Sequence, residues 1–124
     1  MKRSIALGVL ILAILLVQVG PALANKSATS IDGPISVAKG TEVILRVNVS
    51  HSANSSSHYT AWLKVTVNKR EIARWDYGKE NLPEAAEFTK EIKLTIMEDT
   101  GIIAEASCNR HGSRGPATHR ITVK

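Results

Sequence analysis

From Thr41 the chain alternates strictly, with Val43, Leu45, Val47 and Val49 on one face and Glu42, Ile44, Arg46 and Asn48 on the other. A period of two is the mark of a strand with one buried face. A second such run, His58 to Val67, gathers Tyr59, Ala61, Leu63, Val65 and Val67 on one side. His58, Thr60, Trp62, Lys64 and Thr66 take the other, so His58 and Trp62 point the same way. Arg70 to Tyr77, Glu87 to Met97, Ile102 to Cys108 and His119 to Val123 continue the pattern, with Asp99-Thr100-Gly101 marking a turn. Gly78 to Glu87, with Pro83, is a connection with room for one helical turn. Short β-branched runs between turn signals, at a spacing of about 8 to 12 residues, predict an all-β, antiparallel sandwich of about seven strands.

What precedes the sandwich divides in two. Residues 1–24 have the pattern of a signal peptide: Lys2 and Arg3 at the start, an apolar run from Ile5 to Val19, and Ala22-Leu23-Ala24 as a small-residue cleavage site. The apolar run is about 15 residues, short of the about 20 that span a bilayer. Cleavage is therefore expected to leave a chain that begins at Asn25, carries no membrane anchor and resides in the periplasm or outside the cell. Residues 25–34 are polar with a Gly33-Pro34 break and predict a flexible segment, and residues 35–124 form the domain.

The whole 124-residue chain carries a formal charge of +5, of which Lys2 and Arg3 belong to the leader. The rest is interleaved with acids, so no basic stripe marks a nucleic-acid partner. Positive side chains near a cleft still favour a small anion. Arg110 and Arg114 follow the cysteine, and Lys64, Lys69 and Arg70 follow the first histidines.

The chemistry concentrates in Cys108-Asn109-Arg110-His111-Gly112. The chain has one cysteine, so no internal disulfide can form. A thiolate and a neutral imidazole are both good metal ligands, and two intervening residues leave room for a tight turn that converges them. His51 and His58 sit at the end of one predicted strand and the start of the next, where a short loop brings them together. His51, His58, Cys108 and His111 are thus the candidate metal ligands. His119 stands apart in the last strand, beside Ile121. The serines from Ser52 to Ser57 lack the glycine elbow and carboxylate partner of a nucleophile. Asn25, Asn48 and Asn54 each begin a glycosylation sequon, which matters only in a eukaryotic secretory pathway.

Taken in order, His51-x6-His58-Tyr59-x-x-Trp62 followed by Cys108-Asn109-x-His111-Gly112 resembles the iron domain of the superoxide reductases, the desulfoferrodoxin and neelaredoxin group, over roughly residues 41 to 115. The resemblance implies an immunoglobulin-like β-sandwich holding mononuclear non-haem iron by four equatorial histidines and an axial cysteine. On that reading His51, His58 and His111 are equatorial ligands and Cys108 is the axial thiolate. The implied activity is one-electron reduction of superoxide to hydrogen peroxide, with electrons from a separate donor protein. The chain departs from the family in having no histidine before His51, where a Glu-Lys-His segment is expected. The region near Ile31, Asp32 and Gly33 stands in its place, and Ser52 replaces the usual proline. Asp32 and His119 are the candidates to complete the set.

Two other readings fit the same residues. Two histidines and a cysteine also suit copper in a cupredoxin-like electron-transfer or carrier module, although the expected methionine just beyond the Cys-x-x-His step is absent. A non-catalytic binding sandwich with a degenerate site is the third. The electron donor and any homo-oligomer are left open by the residues.

Overall fold

The computed structural model describes residues 25–124. The expected signal peptide lies outside the described residues. Eight strands follow in order: β1 (Ala28–Asp32), β2 (Ser36–Val37), β3 (Thr41–Ser50), β4 (Thr60–Val67), β5 (Arg70–Asp76), β6 (Phe88–Ile96), β7 (Thr100–Cys108) and β8 (Ala117–Val123). No helix occurs among the described residues. The connection from Gly78 to Glu87 is turns and bends, without the helical turn its length allowed.

The strands form two sheets, β1-β3-β6 and β2-β8-β7-β4-β5. Alternation explains how they face each other. Val43, Leu45, Val47 and Val49 of β3, with Phe88, Ile92 and Ile96 of β6, are buried against Leu63 and Val65 of β4, Ile102, Ala104 and Ala106 of β7, and Ile121 of β8. The polar partners on β3 and β6 face outward and pair in register, as in Arg46 opposite Glu91. Burying one such aliphatic side chain is worth about 1.5–3 kcal/mol, so this interleaved face is the main source of stability. A slip of one residue in β3 would expose all four of its core residues, and that fixes the register.

The eight strands agree with the expected count of about seven, and two of them, β1 and β2, lie outside the six alternating runs named from the sequence. β1 occupies half of the segment read as flexible, and all five of its residues pair with β3, from Ala28 opposite Ser50 to Asp32 opposite Arg46. Its sequence is mostly polar, so backbone pairing rather than apolar alternation orders it. The hydroxyl of Thr29 also donates across to the Ala104 carbonyl of the other sheet, at 2.9 Å. β2 is two residues long and pairs with β8 in parallel, while the other strand ladders among the described residues are antiparallel. The β4–β5 hairpin turns on Asn68 and Lys69, both with positive φ, which matches the right-handed twist of the flanking strands.

This topology sends the end of β3, the start of β4 and the end of β7 to one end of the sandwich. The candidate ligands follow those three termini.

Candidate metal centre

His51 is the first residue beyond β3 and is only 6% exposed. The loop from it to β4 is short, and Ser55 and His58 close a tight turn within it by two backbone hydrogen bonds, Ser55 N–H to His58 O at 2.9 Å and His58 N–H to Ser55 O at 3.1 Å. The turn folds His58 back over His51, with ring centroids 4.8 Å apart and the planes perpendicular. Cys108, 4% exposed, ends β7 opposite Thr60, where the β4–β7 ladder becomes irregular. The chain then doubles back. Cys108 N–H bonds Gly112 O at 2.9 Å and Gly112 N–H bonds Cys108 O at 3.1 Å. Gly112 has φ of 79°, a left-handed conformation that suits glycine, and so closes the loop.

The ligand atoms of His51, His58 and Cys108 lie within 4.8 Å of one another. His111 is exposed at the tip of the cysteine loop, its ring centroid 5.1 Å from that of His58. The structure therefore brings three of the four predicted ligands into one cluster and sets the fourth at its rim.

Hydrogen bonding shows what the rings are free to do. The Nε2 of His51 is 3.2 Å from the Asn25 carbonyl, which can only accept, so Nε2 carries the proton and Nδ1 keeps its lone pair. That Nδ1 and the Nε2 of His58 are both buried without a hydrogen-bond partner. Buried polar atoms are normally paired, because leaving one unpaired costs about 1–3 kcal/mol. Burial, with smaller contributions from His58 and His111, pushes His51 below its ordinary pKa of 6.5, while the Asn25 and Ala53 backbone groups pull it upward. The neutral ring, the form that ligates a metal, is thereby favoured. At the sulfur, Arg110 N–H donates to Cys108 Sγ at 3.4 Å. Two clustered imidazoles, each with an orphaned nitrogen, beside a buried sulfur fit a transition-metal ion by ligand chemistry.

The residues proposed to complete the set are elsewhere. His119 donates from Nε2 to Pro34 O at 2.9 Å and pairs with Ile102, six residues along β7 from Cys108, or about 20 Å away at about 3.3 Å per residue. Asp32 accepts from Asn48 Nδ2 at 2.8 Å and pairs with Arg46, five residues short of His51. Neither reaches the cluster. Among the described residues the set is therefore one imidazole short of the four that the resemblance implied. Met97 is also remote, 55% exposed in the turn at the opposite end of β6.

Of the cationic residues, Arg114 and Lys26 line a cleft of about 250 Å³ beside His51, together with Ser50, Ser52 and Glu87. Lys64 stacks over Trp62 at 5.4 Å on the outer sheet face, and Lys69 and Arg70 lie at the far hairpin. Sequence reasoning missed the part played by residues 25–27. Ser27 is fully buried, its hydroxyl 2.8 Å from that of Thr60, while its N–H donates to Gly112 O and its carbonyl accepts from Arg114 N–H. The signal was there only as small polar residues, which carry no periodicity.

A comparison with curated protein sequences finds no match. Among solved structures the chain is similar to superoxide reductase (neelaredoxin) from Ignicoccus hospitalis. A single-substitution variant of that protein has a TM-score of 0.69 at 22% identity over 85% of this chain and 86% of that one. The form without a substitution gives 0.62 at 21% identity over 80% and 82%. The CARDB domain of a Pyrococcus furiosus protein, solved in complex with di-metal ions, has a TM-score of 0.60 at 15% identity over 81% and 94%. These likenesses establish a shared fold. The desulfoferrodoxin family model matches residues 22–113, from the expected cleavage site to just past the cysteine loop, and the chain belongs to the desulfoferrodoxin family.

Proposed function

We propose that this chain is an exported non-haem iron protein that reduces superoxide to hydrogen peroxide, with His51, His58, Cys108 and His111 as iron ligands. The observation that carries the reading is the convergence of His51, His58 and Cys108 within 4.8 Å, with a buried and unpartnered nitrogen on each ring, in a chain of this family. Iron bound there supplies one electron, and superoxide gains that electron and two protons to leave as hydrogen peroxide. The electron comes from a separate donor protein. Residues of the chain hold the surroundings: the Asn25 carbonyl orients His51, the Arg110 amide supports the sulfur, and Lys26 and Arg114 raise the local concentration of an anion beside His51. Glu87 in the same cleft offsets part of that charge. Copper gains no support, since a type 1 site needs a weak axial ligand and Met97 lies at the wrong end of the sandwich.

The test is anaerobic reconstitution with ferrous iron followed by addition of less than one superoxide per iron, so that the iron itself supplies every electron. One iron per chain, with one peroxide formed for each superoxide consumed and no oxygen released, supports the reading. Failure to retain iron, or oxygen released alongside peroxide as in disproportionation, rejects it. Export to the periplasm or beyond is part of the proposal and rests on the leader pattern. Recovery of a chain beginning at Asn25 from outside the cytoplasm tests it separately.

A further inference from the structure

We propose that Asn109 is a positioning residue that holds His58 against Cys108 and so fixes the spacing of the metal ligands; this rests on the metal-site reading above. Asn109 is exposed, yet it turns its donors and its side-chain carbonyl to the protein rather than to water. Its N–H donates to Tyr59 O at 3.0 Å, its Oδ1 accepts from Tyr59 N–H at 3.0 Å, and its Nδ2 donates to Ser57 O at 3.2 Å. These three bonds reach the residues on either side of His58. The backbone of His58 itself is occupied by the Ser55 turn. Between them, Asn109 and Ser55 leave the ring-bearing segment little freedom to move.

The placement matters because regular strand pairing stops here. The β4–β7 register shifts between Thr60 and Trp62, and Thr60 opposite Cys108 is the last pair of the ladder. Past that point no strand pairing ties the histidine loop to the cysteine loop. Asn109 takes over with one side chain that both accepts and donates, a combination that alanine lacks altogether and aspartate lacks on the donor side. It is also the immediate neighbour of Cys108, whose Sγ lies 3.8 Å from its Oδ1. The same residue thus follows one ligand along the chain and clasps another across it. Residues that orient metal ligands from outside the coordination shell typically change metal affinity by about 10–100-fold when removed.

The test uses Co²⁺ as the probe. The full chain, Asn109→Ala and Asn109→Gly are titrated anaerobically against a competing chelator, with the thiolate-to-cobalt absorption followed, and thermal unfolding of the metal-free forms is measured alongside. Both variants are expected to bind Co²⁺ about 10–100-fold more weakly, with a shifted thiolate band and a metal-free unfolding temperature close to that of the parent chain. Glycine keeps the N–H bond to Tyr59 and tolerates any backbone conformation, so it serves if alanine does not fold. Unchanged affinity and band in the variants, while the parent binds, overturns the positioning role alone. A loss of affinity matched by a proportionate fall in metal-free stability also overturns it, since Asn109 is then only structural. Absence of a cobalt band in the unsubstituted chain overturns the metal-site reading, and the inference with it.

Discussion

The two ends of the sandwich are built from similar material, histidine, asparagine and threonine gathered at strand termini, yet they use it differently. At the far end His119 donates to Pro34 O at 2.9 Å, Asn68 Oδ1 accepts from Gly101 N–H at 2.8 Å, Asp99 Oδ1 accepts from Val123 N–H at 2.9 Å, and the Thr100 hydroxyl donates to Glu98 O at 2.8 Å. These side chains stitch turns to strands. At the other end His51 Nδ1, Asn54 Oδ1, His58 Nε2 and Tyr77 Oη are buried and unpartnered, and no such atom occurs at the far end among the described residues. Since an unpaired buried polar group is costly, the difference separates an end that stabilises the fold from an end that holds stability in reserve for a ligand. Two of the four atoms belong to His51 and His58, which cluster with the buried Cys108, and this is the feature on which the proposed metal site rests.

The largest effect that can break this comparison comes from Cys108→Ser. The thiolate-to-metal absorption of the reconstituted protein is expected to vanish, with a loss of metal affinity beyond the about 10–100-fold typical of outer positions. An unchanged spectrum would remove the sulfur from the site. Next in size is the contrast of His51→Ala with His119→Ala. The first is expected to lower metal occupancy sharply. The second leaves metal content as it was and costs at most about 1 kcal/mol for one hydrogen bond, a fall in Tm of about 4–8 °C at most for a domain of this size. A drop in metal content on replacing His119 would bring that residue back into the site despite its bond to Pro34.

Much of this division is legible in the sequence. Val43 to Val49, and Leu63 and Val65, take their faces from alternation, and strand termini bring His51 and Cys108 to one end. The reading fails at the start of β4: the register shift between Thr60 and Trp62 breaks the alternation, and Thr60, read on the polar face with His58 and Trp62, is buried. β1 was not legible as a strand, because Ala28-Thr29-Ser30-Ile31-Asp32 has too little apolar character to reveal a face, and only pairing with β3 orders it. The far placement of His119 was illegible for a similar reason. Alternation shows which face a residue takes but not how far along the sheet its partner sits, and the β7–β8 register that opposes it to Ile102 is a tertiary fact. The Asn25 carbonyl that orients His51 is a backbone group, and no residue type announces it.

Smaller effects sharpen the comparison through pH. In the metal-free protein the pKa of His51 is held below 6.5, chiefly by burial. Between the folded and unfolded values the unfolded chain binds more protons, so stability rises with pH across that window. The contribution is complete above pH 6.5 and is lost as the pH falls through the folded value. Denaturant midpoints of the metal-free chain measured from pH 5 to pH 8 are therefore expected to fall on acidification, and His51→Gln is expected to flatten the slope. A slope unaffected by that substitution would mean that the ring is not buried as described.

The smallest expected effect concerns Tyr77, whose orphaned hydroxyl lies at the metal end but outside the metal cluster. Its ring packs edge-on to Phe88, with centroids 5.7 Å apart, and its N–H holds Ala61 O at 2.8 Å, so the residue is placed by backbone and packing and its hydroxyl has no bond to lose. Burial, assisted by Glu84, pushes its pKa from 10.0 up to about 12. The unfolded ring ionises first as the pH rises, so the stabilising contribution is complete below 10.0 and declines toward about 12. Tyr77→Phe removes both the unpaired oxygen and this titration. Stability at neutral pH is expected to stay level or rise by up to about 1 kcal/mol, with metal affinity unchanged and a shallower loss above pH 10. Denaturation at pH 7 and pH 10.5, with and without metal, separates the alternatives. A fall in metal affinity on removing that one oxygen would place Tyr77 among the groups that support the site, and its orphaned hydroxyl would then belong to the same reserve as the two imidazoles.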